Sequence, residues 1–298
     1  RIPLSSQVMP WQPTCSIDSL QKRAQLIDRI RAFFSEKNYL EVETPLLAPH
    51  TVTDRYINSF SCQPANEKKT YYLQTSPEYH MKRLLAAGSG PIFQICKAFR
   101  QEEQGQQHHR EFTLLEWYRP GFNHMELMQE VSQLLSNVLD TPQAEFVSYQ
   151  EVFNRYLHIN PHTIATSELQ NIIQQRNLYH LATKLDRDTC LQLLMTSDIE
   201  PQLGHQQPCM VYHYPASQAA LAKINQTIKP AVAERFELYI NGCELANGFH
   251  ELNDPIEQRQ RFEADQRHRQ QQQTPIEIDE EFLACLPSLP DCAGVALG

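Results

Sequence analysis

The sequence predicts an α+β fold, helices packed against a mostly antiparallel sheet, and three observations carry that prediction. A long amphipathic helix opens the patterned part of the chain. Two long strands flank a polar loop between residues 91 and 119. An Asn241-Gly242 pair then joins two further strands, a strong short-range signal for a two-residue hairpin.

Over residues 16–38, Leu20, Ala24, Ile27, Ile30 and Phe34 recur at the spacing of one helix face, with Ser16 or Asp18 to cap it. Residues 39–42 suit a short strand that Pro45 stops. Residues 71–74 read as a strand running into a helix that reaches about residue 87, with Ser76 as N-cap and Pro77 at the first helical position. PIFQICKAFR and REFTLLEWY are the two long strands, joined by QEEQGQQHH. Helices follow over residues 124–139, 148–157 with a Ser148/Glu151 capping box, 167–176 and 188–195. Strands return over 232–252, and a glutamine-rich helix spans 255–272.

With 298 residues, 41% of them hydrophobic and 20% charged, the chain can bury a large core, and no repeat or linker divides residues 1–298. A single domain is expected. A formal charge of -9 argues against an extensive nucleic-acid surface, which needs Lys and Arg to neutralise phosphates. The eight cysteines stand singly, with neither a disulfide framework nor zinc-ligand spacing. No apolar run is long enough for a membrane span and the start lacks a secretory layout, so a cytoplasmic protein without membrane contact is expected.

The hairpin carries the first chemistry. Its two-residue loop pairs Tyr239 with Glu244, and period two sets Glu237 on the face of Tyr239, so Glu237 and Glu244 are diagonal neighbours about 7 to 8 Å apart. Carboxylates at that range suit a magnesium ion and phosphate oxygens, and equally suit a solvated sheet face. Asn247, Phe249 and Glu251 alternate onto the opposite face, unless a bulge at Gly248 lets the two groups converge. Arg100 at a strand end and Phe112 on the returning strand fit a phosphate clamp and a stacking ring, or a salt bridge and a core residue.

EVETP, FRQEE through REFTLLEWY, and GVALG stand in the order of motifs one, two and three of class II aminoacyl-tRNA synthetases, and resemble them. TSPEYHMKRLL, REFTLLEWY and ELANGFHELND resemble the lysyl-tRNA synthetase branch. SPEYHMKRLL, EFTLLEWYRP, VYHYPASQAAL, AERFELYINGCELANGFHEL and DCAGVALG extend the likeness, from about residue 11 onward, to its short paralogues that modify translation elongation factor P.

The resemblance implies the class II catalytic fold, an antiparallel sheet flanked by helices, with the first motif at a homodimer interface. It implies that ATP activates (R)-β-lysine as an adenylate for transfer to a lysine ε-amine of elongation factor P. Arg100 would bind the α-phosphate, Glu102 the adenine amino group, and Phe112 would stack on the adenine. His108 and His109 would lie near the phosphates, with Gln101, Leu245 and Gly298 completing the ATP site. Glu237 and Glu244 would hold Mg2+, Glu244 serving both ATP and metal. Ser76, Pro77, Glu78, Tyr118, Asn247 and Glu251 would line the amino-acid pocket, and Ala296, where lysyl-tRNA synthetases usually carry glycine, would narrow its floor toward a β-amino acid.

The first helix begins at about residue 16, which leaves no room for an anticodon-binding domain, so the expected acceptor is a protein and not tRNA. Two departures accompany the likeness. His109-Arg110 stands where the family usually has Asn-Pro, and the third motif's arginine is expected just past Gly298, so the chain reads as continuing there. A synthetase-like lysine sensor without catalysis is the reading from another class, opposed by the joint presence of Arg100, Glu102, Glu237, Glu244 and Glu251.

Overall fold

A computed structural model describes residues 11–54, 57–101, 109–270 and 276–298. Helix α1 (Ile17–Glu36) starts where Ser16 accepts the Ser19 N–H, as the sequence indicates. Only its last turns are deeply buried: Phe34 stacks on Phe93 and meets Trp117 edge-on. Strand β1 (Leu40–Glu41) runs parallel to β5 (Ile92–Phe99), whereas β2 (Leu47–Ala48), β3 (Ser61–Cys62) and β4 (Tyr71–Leu73) form a small antiparallel sheet of their own. Helix α2 (Glu78–Ala86) begins one residue later than expected. Pro77 occupies its cap position, and Ser76 Oγ still accepts the Glu78 N–H at 3.3 Å.

Strand β6 (Glu111–Pro120) pairs antiparallel with β5 from Phe99↔Glu111 to Ile92↔Tyr118. Helix α3 (His124–Leu139) is closed by an Asn123/Glu126 capping box. Then come β7 (Glu145–Ser148), α4 (Tyr149–Leu157) with the expected Ser148/Glu151 box, α5 (Thr166–Gln175) and α6 (Arg187–Leu194). Strand β8 (Cys209–Pro215) is followed by β9 (Ile224–Asn225), the hairpin β10 (Val232–Ile240) and β11 (Cys243–His250), α7 (Pro255–Gln270), α8 (Glu280–Cys285) and β12 (Cys292–Leu297). Asn241 and Gly242 both have positive φ, 52° and 74°, as a twisted two-residue hairpin turn requires. Strands β7 and β8 and helix α8 are elements the sequence patterns left undetected.

The main sheet has the order β1-β5-β6-β12-β11-β10-β8-β7, with β9 on β10; β1–β5 and β7–β8 are parallel and the remaining pairs antiparallel. Helices α1 and α3 cover one face through Phe34, Leu127, Met128 and Val131, packed on Trp117, Phe236 and Val295. The other face carries two separate cores. One joins α2 and α8 to Ile92, Tyr118 and Cys292; the other joins α4, α5 and α6 to Val211 and Tyr239. Strands β11 and β12 lie between them. No helix among the described residues is long and apolar enough to cross a membrane.

Candidate active site

The floor left open between the two cores belongs to a cavity of about 800 Å³, within the size range of small-molecule sites. Strand β11 supplies much of that floor, because a bulge corrects its alternation. Pairing runs Tyr239↔Glu244 and then Leu238↔Ala246, which leaves Leu245 as an extra residue. The phase shifts by one, so Glu244, Asn247, Phe249 and Glu251 all line the cavity. Gly248 is not the bulge: it pairs regularly with Phe236 and Val295. A Cβ there would lie 2.4 Å from the Phe236 ring, and this close approach is what the glycine serves. Leu245 points its side chain into the opposite core, so only its carbonyl, which accepts the Gly298 N–H at 3.0 Å, remains toward the ATP role expected of it.

One end of the cavity is deeply buried and acidic. Lys82 of α2 is fully buried, its Nζ 2.6 Å from both Glu78 Oε1 and Glu251 Oε2. Burial opposes its charge, but the two carboxylates more than offset this and hold its pKa above the ordinary range. Glu116 Oε1 accepts the Tyr118 hydroxyl at 2.6 Å, while its buried Oε2 has no hydrogen-bond partner. Burial first, then Glu78, pushes the Glu116 carboxyl up to about 8. Three carboxylates thus share one lysine. The β12 floor is shaped to fit: a Cβ on Gly294 would stand 2.2 Å from the Tyr118 ring and 2.6 Å from Glu251 Oε1. Ala296 sits in register between Glu116 and Asn247.

The other end is mixed in charge. Arg235, partly buried on β10, ion-pairs with Glu237, donates to Asn247 Oδ1 at 3.2 Å and lies over the Tyr214 ring. Glu237 also accepts the hydroxyls of Tyr214, at 2.6 Å, and Tyr239. Glu244 presents much of its surface to the cavity water while protein walls surround it. Enclosure by those walls, then Glu237, raises its pKa, a rise that cavity water moderates and that Arg235 and Arg100 oppose. Glu200 is pushed up to about 7, by burial and then Glu237. Such a carboxylate set favours an added divalent cation, and Glu244 is the member most open to the cavity.

Arg100 lines the cavity and stands 5.1 Å over the half-buried Phe112 ring, with its Nε donating to the Thr75 carbonyl at 3.4 Å. Ser76 and Glu78 line the cavity at the start of α2, with Pro77 buried beside them. Tyr118, Asn247, Glu251 and Ala296 also line it. Gln101, His109 and Gly298 are exposed and do not line it; Gln101 Nε2 donates to the Ser59 carbonyl instead, at 2.8 Å. Glu102 and His108 lie outside the described residues.

Three residues of this site escaped the sequence reading: Lys82, Glu116 and Arg235. Each carried a spacing signal, Lys82 four residues after Glu78 on one helix face, Glu116 two before Tyr118, and Arg235 two before Glu237 on their strands. The wall over the cavity is held from a distance. Arg269 of α7 donates to the carbonyls of Thr53, Asp54 and Ile57 and to Asn58 Oδ1, at 2.6 to 3.2 Å. Thr53, Asp54 and Ile57 line the cavity, and the Asn58 carbonyl accepts the Gln101 N–H at 3.0 Å.

Residues 4–298 match the family model of class II tRNA synthetases (D, K and N). The elongation factor P–(R)-beta-lysine ligase of Haemophilus influenzae strain Rd is 52% identical over 294 residues, 97% of this chain and 90% of that protein. The protein of the same name from Pectobacterium carotovorum is 50% identical over 300 residues, 98% of this chain and 92% of its own.

Proposed function

The chain belongs to the class II tRNA synthetase family, and on that premise we propose an ATP-dependent ligase that activates (R)-β-lysine and transfers it to a lysine of translation elongation factor P. The observation that carries the reading is the buried acidic end of the cavity, where Glu78, Glu116 and Glu251 surround one Lys82. An incoming ammonium supplies positive charge there and lets Glu116, pushed up to about 8, give up its proton. A substrate with an uncharged side chain leaves those carboxylates unpaired, and so is rejected.

In the first step the substrate carboxylate attacks the α-phosphorus of ATP; a carboxyl oxygen–phosphorus bond forms and pyrophosphate leaves. In the second, the acceptor ε-amine attacks the acyl carbon, an amide forms, AMP leaves and the amine gives up a proton. Neither step needs a covalent protein residue. The chain's work is to align the groups and stabilise developing charge, with Arg100 at the α-phosphate and Asn247, held by Arg235, near the reacting carboxylate. Phe112 receives the adenine at the rim once Arg100 turns to the phosphate. Glu244, with Glu237 beside it, would hold Mg2+, which when bound neutralises charge on the phosphates. Glu237 fits that part although its oxygens already accept three donors, since a carboxylate has about four acceptor sites.

The proposal includes a homodimer, a single catalytic domain and a cytoplasmic location. Trp11, Ile17, Leu20, Leu40 and Leu47 are large, exposed and gathered in the first fifty residues, around α1, β1 and β2, which supports a subunit interface there. The deciding experiment is ATP–pyrophosphate exchange by the full-length protein with (R)-β-lysine or L-lysine. Strong preference for β-lysine is expected. Preference for L-lysine returns the chain to the synthetase branch, and exchange with neither removes the activation step.

A further inference from the structure

The sheet face opposite the cavity carries a second cluster, beside the start of α3. His124, the first residue of α3, Glu234 of β10 and His250 of β11 offer two ring nitrogens and a carboxylate oxygen within 4.8 Å of one another. Their strand neighbours Arg235, Phe249 and Glu251 line the cavity, so Glu234 and His250 face away from it. His250 Nδ1 meets Glu234 Oε2, and its Nε2 lies 2.8 Å from Asp291 Oδ1. His124 is 4% exposed, yet neither of its ring nitrogens has a hydrogen-bond partner. The His213 ring stands beside it, 5.1 Å between centroids.

We propose that His124, Glu234 and His250 form a binding site for a first-row divalent metal ion, zinc by its donor set, that ties α3 to the β10–β11 hairpin. Two imidazoles and one carboxylate are an established zinc set, with a fourth position for water or His213. Asp291 behind His250 is the carboxylate that fixes the ring of a ligating histidine, and Lys223, paired with Asp291, balances its charge. Ligands on bonds of about 2.0 to 2.1 Å in a tetrahedron sit about 3.3 Å apart, so on binding His250 Nδ1 and Glu234, now in direct contact, move apart to admit the ion between them. A doubly protonated His250 held between Glu234 and Asp291 accounts for those two carboxylates without a metal. It leaves His124 unexplained, and a buried polar group without a partner is destabilising. Burial keeps that imidazole neutral, as a metal ligand must be.

The test is titration of chelator-stripped full-length protein with Zn2+ against a chromophoric chelator, and with Co2+ followed by absorption. One equivalent is expected, with a ligand-field spectrum lacking a thiolate charge-transfer band and a raised Tm. His124→Gln and Glu234→Gln should each weaken binding by roughly 100-fold or more. The proposal is overturned if wild-type protein does not compete with a micromolar chelator. It is equally overturned if binding carries a thiolate band and survives both substitutions, which would assign the metal to some of the eight free cysteines. Should His124→Gln fail to fold, Glu234→Gln and the wild-type spectrum decide.

Discussion

Replacing Lys82 by methionine isolates the electrostatics of the buried end. The side chain is of similar length and apolar, so the change removes a charge rather than volume. Glu78 and Glu251 then face each other with no cation between them, 2.6 Å from where the ammonium stood. Leaving a buried charge unpaired costs about 3 to 5 kcal/mol. Burial already pushes Glu251 up to about 8 beside Lys82, so the variant escapes part of that cost by taking up one further proton, and from an ordinary value of 4.5 this costs about 3 kcal/mol at pH 7. The expected loss at pH 7 is therefore about 3 kcal/mol. The sign of its pH dependence is fixed: the variant's folded state holds one proton more than the wild type's, and the unfolded chain releases it above pH 4.5, so the deficit grows as pH rises above that value and shrinks as pH falls toward it. Urea unfolding of both proteins at pH 5 and pH 7.5 measures this. A penalty below about 1 kcal/mol, or one of equal size at both pH values, would refute the claim that Lys82 neutralises these two carboxylates.

Glu116→Gln should be more stable than wild type near pH 8, because a carboxyl raised to about 8 contributes stability that is complete below about 4.5 and is lost as pH rises. The same change should raise KM for the diamino acid roughly tenfold or more in pyrophosphate exchange, since the ammonium loses a charged acceptor. Gly294→Ala forces a Cβ to 2.2 Å from the Tyr118 ring, so kcat/KM for the amino acid should fall steeply while urea unfolding shows a loss of about 1 to 3 kcal/mol. Arg269→Met removes the donor shared by Thr53, Asp54, Ile57 and Asn58; amide exchange should quicken at Thr53, Asp54, Ile57 and Asn58 and leave β8 unchanged, with KM for ATP raised through Gln101.

Elements whose cause is local are legible before any tertiary contact is known. The α1 and α4 caps, the Asn241-Gly242 turn and the long β5 and β6 strands follow from side chains within a few residues of one another, and the structure has them where they were expected. The sequence also named Glu78, Asn247 and Glu251, through motifs rather than geometry. Strand β8 escaped because its buried residues make sense only beside β10 and under the helices that cover it, and β7 because a four-residue edge strand that buries only Val147 carries little pattern. Whether Glu244 joins Asn247 and Glu251 on one face was undecidable from alternation, since one extra residue inverts every side chain beyond it. That residue is Leu245 and not Gly248, because the pairing partners on β10 and β12 set the register. Lys82 and Glu116 gain their meaning the same way: an i,i+4 ion pair on an isolated helix is a surface feature, and it becomes the centre of a charged pocket only when β11 brings Glu251 to it and the two flanking cores exclude water.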